Sequence, residues 1–122
     1  MNDFVLELTG IDKVFGEGDA RVQALADIDL AVAPGELIAL IGPSGSGKST
    51  LLSIAGALLS PTTGSARLDG VDISTVAEKE RADLRLQKIG FIFQGSNLVS
   101  YLTGREQLLF LGHLIGLSKD EA

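Results

Sequence analysis

The sequence has no cysteine and a single histidine, His113. Disulfide bonds and thiolate metal sites are therefore excluded, and so is a zinc site built from several histidines. Long apolar runs are also lacking. The longest nearly apolar run, residues 108–117, is too short for a membrane-spanning helix, which needs about 20 residues.

Basic residues are few, with ten Lys and Arg against sixteen Asp and Glu, and the net charge is −6. This balance argues against a nucleic-acid partner bound through a broad basic surface. The hydrophobic share of 45% and the charged share of 21% are those of a globular protein and not of a disordered one. The length of 122 residues favours one domain.

Short apolar segments separated by glycines predict an α/β fold in which strands alternate with helices. Residues 15–21 are predicted to form a loop, and Asp69-Gly70 a tight turn. The unbroken apolar runs at 37–41 and 89–93 are typical of strands buried on both faces of a parallel sheet. The predicted strand regions are 4–8, 25–32, 37–41, 65–68 and 89–93.

Helices are predicted over residues 48–59, 75–88 and 103–115. Two of them begin with capping-box spacing, Thr75 with Glu78 and Thr103 with Glu106. The charged stretch 78–85 is predicted to be a solvated helix face, and His113 a packed or solvated residue without a catalytic role.

The most informative segment is a glycine-rich loop between an apolar strand and a helix, which matches the phosphate-loop pattern G-x-x-x-x-G-K-[ST]. Its residues are Gly42, Pro43, Ser44, Gly45, Ser46, Gly47, Lys48, Ser49 and Thr50. Glycines let the backbone approach phosphates, and successive N–H groups at a helix start form an anion nest. In this interpretation Lys48 reaches the β- and γ-phosphates, Ser49 ligates Mg²⁺ and Thr50 bonds the α-phosphate. The alternative is a glycine-rich strand-to-helix turn without a ligand.

Further motifs flank this loop in a characteristic order. They are Pro34-Gly35-Glu36, Pro61-Thr62-Thr63-Gly64, Leu68-Asp69-Gly70, residues 89–94, Asn97-Leu98 and Leu102-Thr103. With these motifs the chain resembles the ATP-binding subunit of ABC transporters over essentially its whole length. Gly16-Glu17-Gly18 and residues 89–98 resemble the bacterial group that exports macrolides, lipoproteins or haem, and residues 104–107 favour the haem-type branch.

The resemblance implies a P-loop ATPase core with an antiparallel β portion. It also implies ATP and Mg²⁺ as cofactors, a homodimer, a membrane permease as partner, and a peripheral location on the cytoplasmic face of the plasma membrane. By resemblance, Phe15 stacks on adenine, although it could instead cover core. Gln94 resembles the glutamine that contacts Mg²⁺ and the attacking water, and the alternative is an ordinary strand-end glutamine. Segment 95–103, with Tyr101, resembles the surface that meets the permease.

The second half of the family's domain has no counterpart in this sequence: the signature loop, the Walker B aspartate, the catalytic glutamate and the switch histidine. Ser118 and Glu121 have capping-box spacing with only Ala122 beyond them. We therefore expect residues 1–122 to be the N-terminal part of one nucleotide-binding domain. We expect this part to be inactive alone and to expose the apolar segment 37–41.

Three functions remain open at this stage. The first is an ATPase subunit that drives export through a permease, with Lys48 and Gln94 as catalytic residues. The second is an ATP-gated clamp in cell-envelope or division signalling. The third is a nucleotide-binding fragment without turnover.

Overall fold

The computed structural model describes residues 3–95 and 100–118. The chain divides into two compact units, residues 1–85 and 86–122. The first unit contains all four strands, the first helix and most of the second helix. Among the residues described, no helix has both the length and the apolar character to cross a bilayer.

An antiparallel sheet forms the centre of the first unit. Its strands are β1 (Leu6–Phe15), β2 (Val22–Val32), β3 (Thr63–Leu68) and β4 (Val71–Asp72), in the order β2-β1-β3-β4. The predicted strands at 25–32 and 65–68 are confirmed, and the strand predicted at 4–8 is longer and begins at Leu6. The predicted loop 15–21 is shorter, because Phe15 belongs to β1 and Gly18–Ala20 form one 3-10 turn.

Asp69 and Gly70 form the predicted tight turn between β3 and β4. Both have positive φ angles, 49° and 82°, which is the backbone conformation of the two-residue hairpin turns that suit the twist of a sheet. Arg67 Nη2 donates a hydrogen bond to the Gly70 carbonyl oxygen at 3.0 Å. Local turn chemistry thus fixes the register in which Leu68 pairs with Val71.

The core lies where the sheet meets helix α1 (Lys48–Ala55). Leu8 and Ile11 of β1, Ala66 of β3 and Ile54 of α1 are fully buried there, and Ile73 follows β4 into the same core. Burial of an aliphatic side chain of this size contributes about 1.5–3 kcal/mol relative to its exposed state. This packing anchors α1, and with it the loop that precedes the helix.

Helix α1 ends earlier than its predicted end near residue 59. Ala57 follows the C-cap Gly56 with a φ of 60°, the left-handed conformation that ends many helices. The Leu58 N–H donates to the Ser53 carbonyl at 2.9 Å, and the Ala57 N–H donates to the Ile54 carbonyl at 3.1 Å. These two bonds are those of a Schellman motif, with alanine at the position where glycine is usual.

The two strands predicted at 37–41 and 89–93 are not strands in this structure. A strand needs a hydrogen-bonded neighbour, and in the described part of the chain the sheet extends only from β2 to β4. Leu37 and Ile41 are 97% and 93% exposed, which confirms the expected exposure of this apolar segment. Ile92 is exposed to the same extent as Leu37, while the rings of Phe91 and Phe93 pack at a centroid distance of 4.5 Å.

The remaining helices are α2 (Glu78–Lys88) and α3 (Gly104–Leu114). The capping box predicted at Thr103 is confirmed: Thr103 Oγ1 accepts from the Glu106 N–H, and Glu106 Oε1 accepts from the Thr103 N–H at 2.9 Å. These bonds with Thr103 hold the pKa of Glu106 below its ordinary value. The box predicted at Thr75 is wrong, because Glu78 is itself the first helical residue. The third predicted box cannot be compared, since Glu121 lies outside the described residues.

Candidate functional site

The glycine-rich loop, residues 42–47, leads directly into α1 and is joined to β2 by a close approach of the two backbones. Gly47 is the N-cap of α1, with a φ of 92°. A Cβ atom at this position would lie 2.6 Å from the Ala24 carbonyl oxygen and 2.9 Å from Leu25 Cδ2. Any residue other than glycine would therefore push the loop away from β2, so the predicted need for a glycine here has a steric basis.

Lys48 folds back over the loop that precedes it. Its ammonium donates to the carbonyl oxygens of Gly42 and Pro43, at 2.7 Å to the latter, and to Ser46 Oγ at 3.2 Å. The loop is closed further by the Ser46 N–H, which donates to the Pro43 carbonyl at 3.2 Å. One positive charge thus lies inside the loop, at the start of a helix whose dipole adds partial positive charge.

A cavity of about 570 Å³ opens beside the loop and the start of α1. Its lining contains no carboxylate and one cation, which suits an anionic ligand. One wall is the start of β2, so the cavity extends from the phosphate loop toward the end of the sheet. The lining residues are Val22, Gln23, Ala24, Ser44, Gly45, Gly47, Lys48, Ser49 and Thr50.

Most of the predicted phosphate-binding residues are brought together by this geometry. Ser44, Gly45, Gly47, Lys48, Ser49 and Thr50 line the cavity, and the other three, Gly42, Pro43 and Ser46, contact the Lys48 ammonium. Their roles toward ATP and Mg²⁺ stay predictions.

Phe15 is placed at the end of β1, opposite Val22 of β2. Val22 lines the cavity, whereas Phe15 lies next to it and is not part of the lining. Phe15 is 41% exposed, and the Lys13 ammonium lies 5.2 Å from the centroid of its ring. The exposure favours an accessible ring over one that only covers core, and adenine stacking stays a prediction.

Gln94 belongs to the second compact unit, where its side chain is exposed. Its predicted contact with Mg²⁺ and with the attacking water stays a prediction. Tyr101 is also exposed, and residues 96–99 of the predicted permease-facing segment lie outside the described residues. Among the described residues, no group of three or more His, Asp or Glu side chains could hold a metal ion.

Sequence reasoning missed a side-chain cluster that joins α2 to the segment that follows α1. Arg81 donates to Ser60 Oγ and Arg85 to the Ala57 carbonyl oxygen, and Glu78 accepts from both arginines. The arginine side chains are only 16% and 25% exposed, so the predicted fully solvated face is wrong for them. Their hydrogen bonds hold the pKa of Glu78 below its ordinary value. The sequence signal for this cluster was the spacing of Glu78, Arg81 and Arg85, which places all three on one side of a helix.

Comparison with known proteins places this geometry in context. The family model for the ABC transporter matches residues 25–122. The chain is 49% identical over 117 residues to the Staphylococcus haemolyticus protein named hemin import ATP-binding protein HrtA. That match covers 96% of this chain and 52% of the relative. The chain is 46% identical over 106 residues to the lipoprotein-releasing system ATP-binding protein LolD 1 of Caulobacter vibrioides. This match covers 87% of the chain and 45% of the relative.

A third relative is the macrolide export ATP-binding/permease protein MacB of Marinobacter nauticus, 46% identical over 104 residues, or 85% of this chain and 16% of the relative. The chain thus spans about half the length of the first two curated relatives and a sixth of the third.

Solved structures agree with the sequence relatives. Two dimeric structures of the ATP-binding cassette MJ0796, one of them bound to ADP and Pi, superpose with TM-scores of 0.86 and 0.87 at 34% identity. Each match covers 95% of this chain and 51% of the cassette. The expected α/β ATPase-cassette fold with an antiparallel portion is therefore confirmed. With a family model that matches four fifths of its residues, a phosphate loop at the start of α1 and the fold of an ATP-binding cassette, the chain belongs to the ABC transporter family.

Proposed function

We propose that the chain is the phosphate-binding part of a subunit that binds and hydrolyses ATP to drive export of a substrate through a membrane permease. The observation that carries this proposal is the Lys48 ammonium, held inside a glycine-rich loop at the start of α1 and beside a cavity without carboxylates. A triphosphate supplies the negative charge that this cation and this helix start would neutralise.

The Lys48 ammonium donates to the Gly42 and Pro43 carbonyls and to Ser46 Oγ. On nucleotide binding, a short movement of the lysine side chain would exchange these acceptors for phosphate oxygens. The loop N–H groups would then bind the remaining phosphate oxygens. Thr50, in the first turn of α1 and in the cavity lining, would contact the α-phosphate, and an adenine base would lie toward Phe15.

We infer that Mg²⁺ is bound with the help of the nucleotide. Ser49, in the cavity lining, would offer a hydroxyl oxygen, and the Gln94 amide oxygen is the second ligand that the family resemblance implies. Mg²⁺ in such sites takes few protein ligands and completes its shell with phosphate and water oxygens. When bound, the ion would neutralise charge on the phosphates. Lys48 and Gln94 are the residues to which we assign catalytic roles.

The partners are supported by the relatives, and the location is inferred from a permease partner. The MacB relative combines an ATP-binding part with a permease in its name, and the MJ0796 cassettes are dimeric. We therefore infer a homodimer of ATPase subunits docked on a permease at the cytoplasmic face of the plasma membrane. Segment 95–103, with the exposed Tyr101, is the inferred permease contact. The net charge of −6 argues against a nucleic-acid partner bound through a broad basic surface.

The substrate is inferred from names that point in different directions. The HrtA relative is named for hemin import, the LolD 1 relative for lipoprotein release and the MacB relative for macrolide export. We infer outward transport, which the name of the MacB relative states, and a haem-type substrate, which the name of the HrtA relative supports.

The proposal is tested by titration of Mg·ATP into the chain and into its Lys48→Ala variant, followed by calorimetry. A charge-assisted hydrogen bond contributes about 1.5–3 kcal/mol, so we expect affinity to fall about ten-fold or more. The fold should persist, since the ammonium contacts only the exposed loop. The matched control is Lys79→Ala, which removes an exposed lysine of α2. Unchanged affinity in a folded Lys48→Ala variant would refute the phosphate assignment.

A further inference from the structure

Lys13 joins three parts of the first unit. It belongs to β1, and its ammonium donates a hydrogen bond to the Ser60 carbonyl oxygen, beyond the end of α1, at 2.8 Å. The same nitrogen lies 5.2 Å from the centroid of the Phe15 ring. A cation within about 6 Å of an aromatic centroid and above its face is attracted by the ring. The ammonium therefore holds the ring at one face while the Ser60 carbonyl holds the ammonium.

The position of Phe15 gives this contact a consequence for ligand binding. The ring is partly exposed, and its cross-strand neighbour Val22 lines the cavity beside the phosphate loop. One face of the ring is occupied by the cation. A flat ligand group that extends from the loop toward β1 would therefore meet the ring on its opposite face or at its edge.

We propose that Lys13 is a positioning residue for the base of a purine nucleoside triphosphate. It fixes the Phe15 ring through one face, so that the other face is presented to the base. A ring fixed in advance loses less conformational freedom when the base stacks on it, and this strengthens binding. The proposal rests on the proposed function, because it assumes that the cavity binds a nucleotide.

A purely structural role for Lys13 makes a different prediction. If the residue only ties β1 to the segment after α1 through Ser60, its loss lowers stability and weakens every ligand of the cavity to the same extent. If it acts through the ring, its loss weakens ligands that carry a base and spares those that do not. The effect must also depend on the presence of Phe15.

The experiment measures the Kd of Mg·ATP and of Mg·tripolyphosphate for the full chain and its variants. Lys13→Met removes the charge and keeps the length of the side chain, and Lys13→Arg keeps a cation. We expect Lys13→Met to weaken ATP binding by up to about three-fold, because the energy of one exposed cation–π contact is the upper limit of the effect, and to leave tripolyphosphate binding unchanged. Lys13→Arg should restore ATP binding. In a Phe15→Leu background, Lys13→Met should have no effect on either ligand.

Lys79→Met, on the exposed part of α2, is the matched control and should change neither Kd. If Lys13→Met does not fold, Lys13→Gln keeps an N–H donor for the Ser60 carbonyl and serves in the same comparison. Equal weakening of both ligands, or a loss that persists in the Phe15→Leu background, would overturn the proposal. Failure of the unsubstituted chain to bind Mg·ATP would overturn the proposed function instead, and the inference with it.

Discussion

Phe15 is the residue at which the phosphate site and a base-binding site would meet. Its ring is partly exposed at the end of β1, with Lys13 over one face. We expect Phe15→Ala to weaken binding of Mg·ATP by about 1 kcal/mol, which is the size of one aromatic stacking contact. Binding of Mg·tripolyphosphate should be unchanged, since it has no base. Equal losses for the two ligands, measured by calorimetry, would refute adenine stacking.

An optical control is available because the chain contains no tryptophan. Phe15→Trp introduces a single indole at the end of β1. If a base stacks there, Mg·ATP should change the tryptophan emission and Mg·tripolyphosphate should not.

Gly64 lies where the backbone of β3 closely approaches that of β1. A Cβ atom here would lie 2.4 Å from the Gly10 carbonyl oxygen and 2.7 Å from the Thr9 carbonyl oxygen, and the φ angle is 97°. We expect Gly64→Ala to destabilise the chain by more than about 2 kcal/mol, because backbone strain and overlap with backbone atoms add together.

Gly35→Ala is the matched control for this substitution. Gly35 also has a positive φ, 77°, but nothing lies within 4 Å of its added Cβ. Its cost should therefore be the conformational term alone, about 1 kcal/mol. Urea unfolding of both variants measures the difference. Equal midpoints would mean that the two strands move apart freely at Gly64.

At the scale of elements, α2 is attached to the end of α1 by side chains. Arg81 and Arg85 reach Ser60 and the Ala57 carbonyl, and Glu78 pairs with both. Cations at a helix C-terminus also interact favourably with the helix dipole. The pKa of Glu78 is lowered in the folded chain, so its stabilising contribution is present above its unfolded pKa and is lost as the pH falls through the folded value.

We therefore expect Glu78→Gln to lower stability at neutral pH and to have little effect at a pH below the folded pKa of Glu78. Because Glu78 is largely exposed, solvent screening keeps the neutral-pH effect small. Thermal unfolding of the two chains across this pH range gives the comparison. The Glu80→Gln variant changes an exposed acidic residue two positions along α2 and serves as the control. A pH-independent difference between the Glu78→Gln variant and the unsubstituted chain would contradict the ion-pair explanation.

Elements that depend on neighbouring residues in the sequence were predictable, and those that depend on distant partners were not. The Asp69-Gly70 turn and the Thr103 capping box are local, and both form. Residues 37–41 have the composition of a buried strand, yet no strand forms, because pairing requires a neighbour elsewhere in the chain. Thr75 had the correct spacing from Glu78, but the carboxylate pairs with arginines that lie one and two turns further along.

The candidate site also has a local part that was predictable and a non-local part that was not. Gly47 and Lys48 belong to one short motif, and its chemistry can be predicted because the motif specifies its own conformation. The contact of Lys13 with Phe15 and Ser60 depends on the pairing of β1 with β2 and on the path of the chain after α1. That path brings residues together across 47 positions of sequence, which no local pattern encodes.

At the scale of the whole molecule, the described residues that we assign to the site offer a cation for phosphate but no general base for the attacking water. The cavity lining holds one cation and no carboxylate, and no metal-binding cluster of His, Asp or Glu exists within 3–95 and 100–118. Phosphoryl transfer depends on positioning together with charge stabilisation. We expect the 122-residue chain to bind Mg·ATP weakly and to release no phosphate above the rate of its Lys48→Ala variant.

The measurement is phosphate release by the purified chain beside a longer protein that spans the length of the relatives, each with its own Lys48→Ala control. Turnover in the longer protein alone is the expected result. Comparable turnover by the 122-residue chain would show that a catalytic base lies within residues 1–122 and has been overlooked.

The internal hydrogen bonds of the Lys48 ammonium affect how strongly the loop can bind an anion, because the ammonium already has acceptors within the chain. A phosphate that entered the loop would not meet an unpaired charge, because it would have to replace two carbonyl groups and a hydroxyl as acceptors of the ammonium. The affinity of the loop for an anion would therefore depend on the difference between the hydrogen bonds of Lys48 to the anion and its hydrogen bonds within the chain. The internal acceptors would compete with any anion for the ammonium.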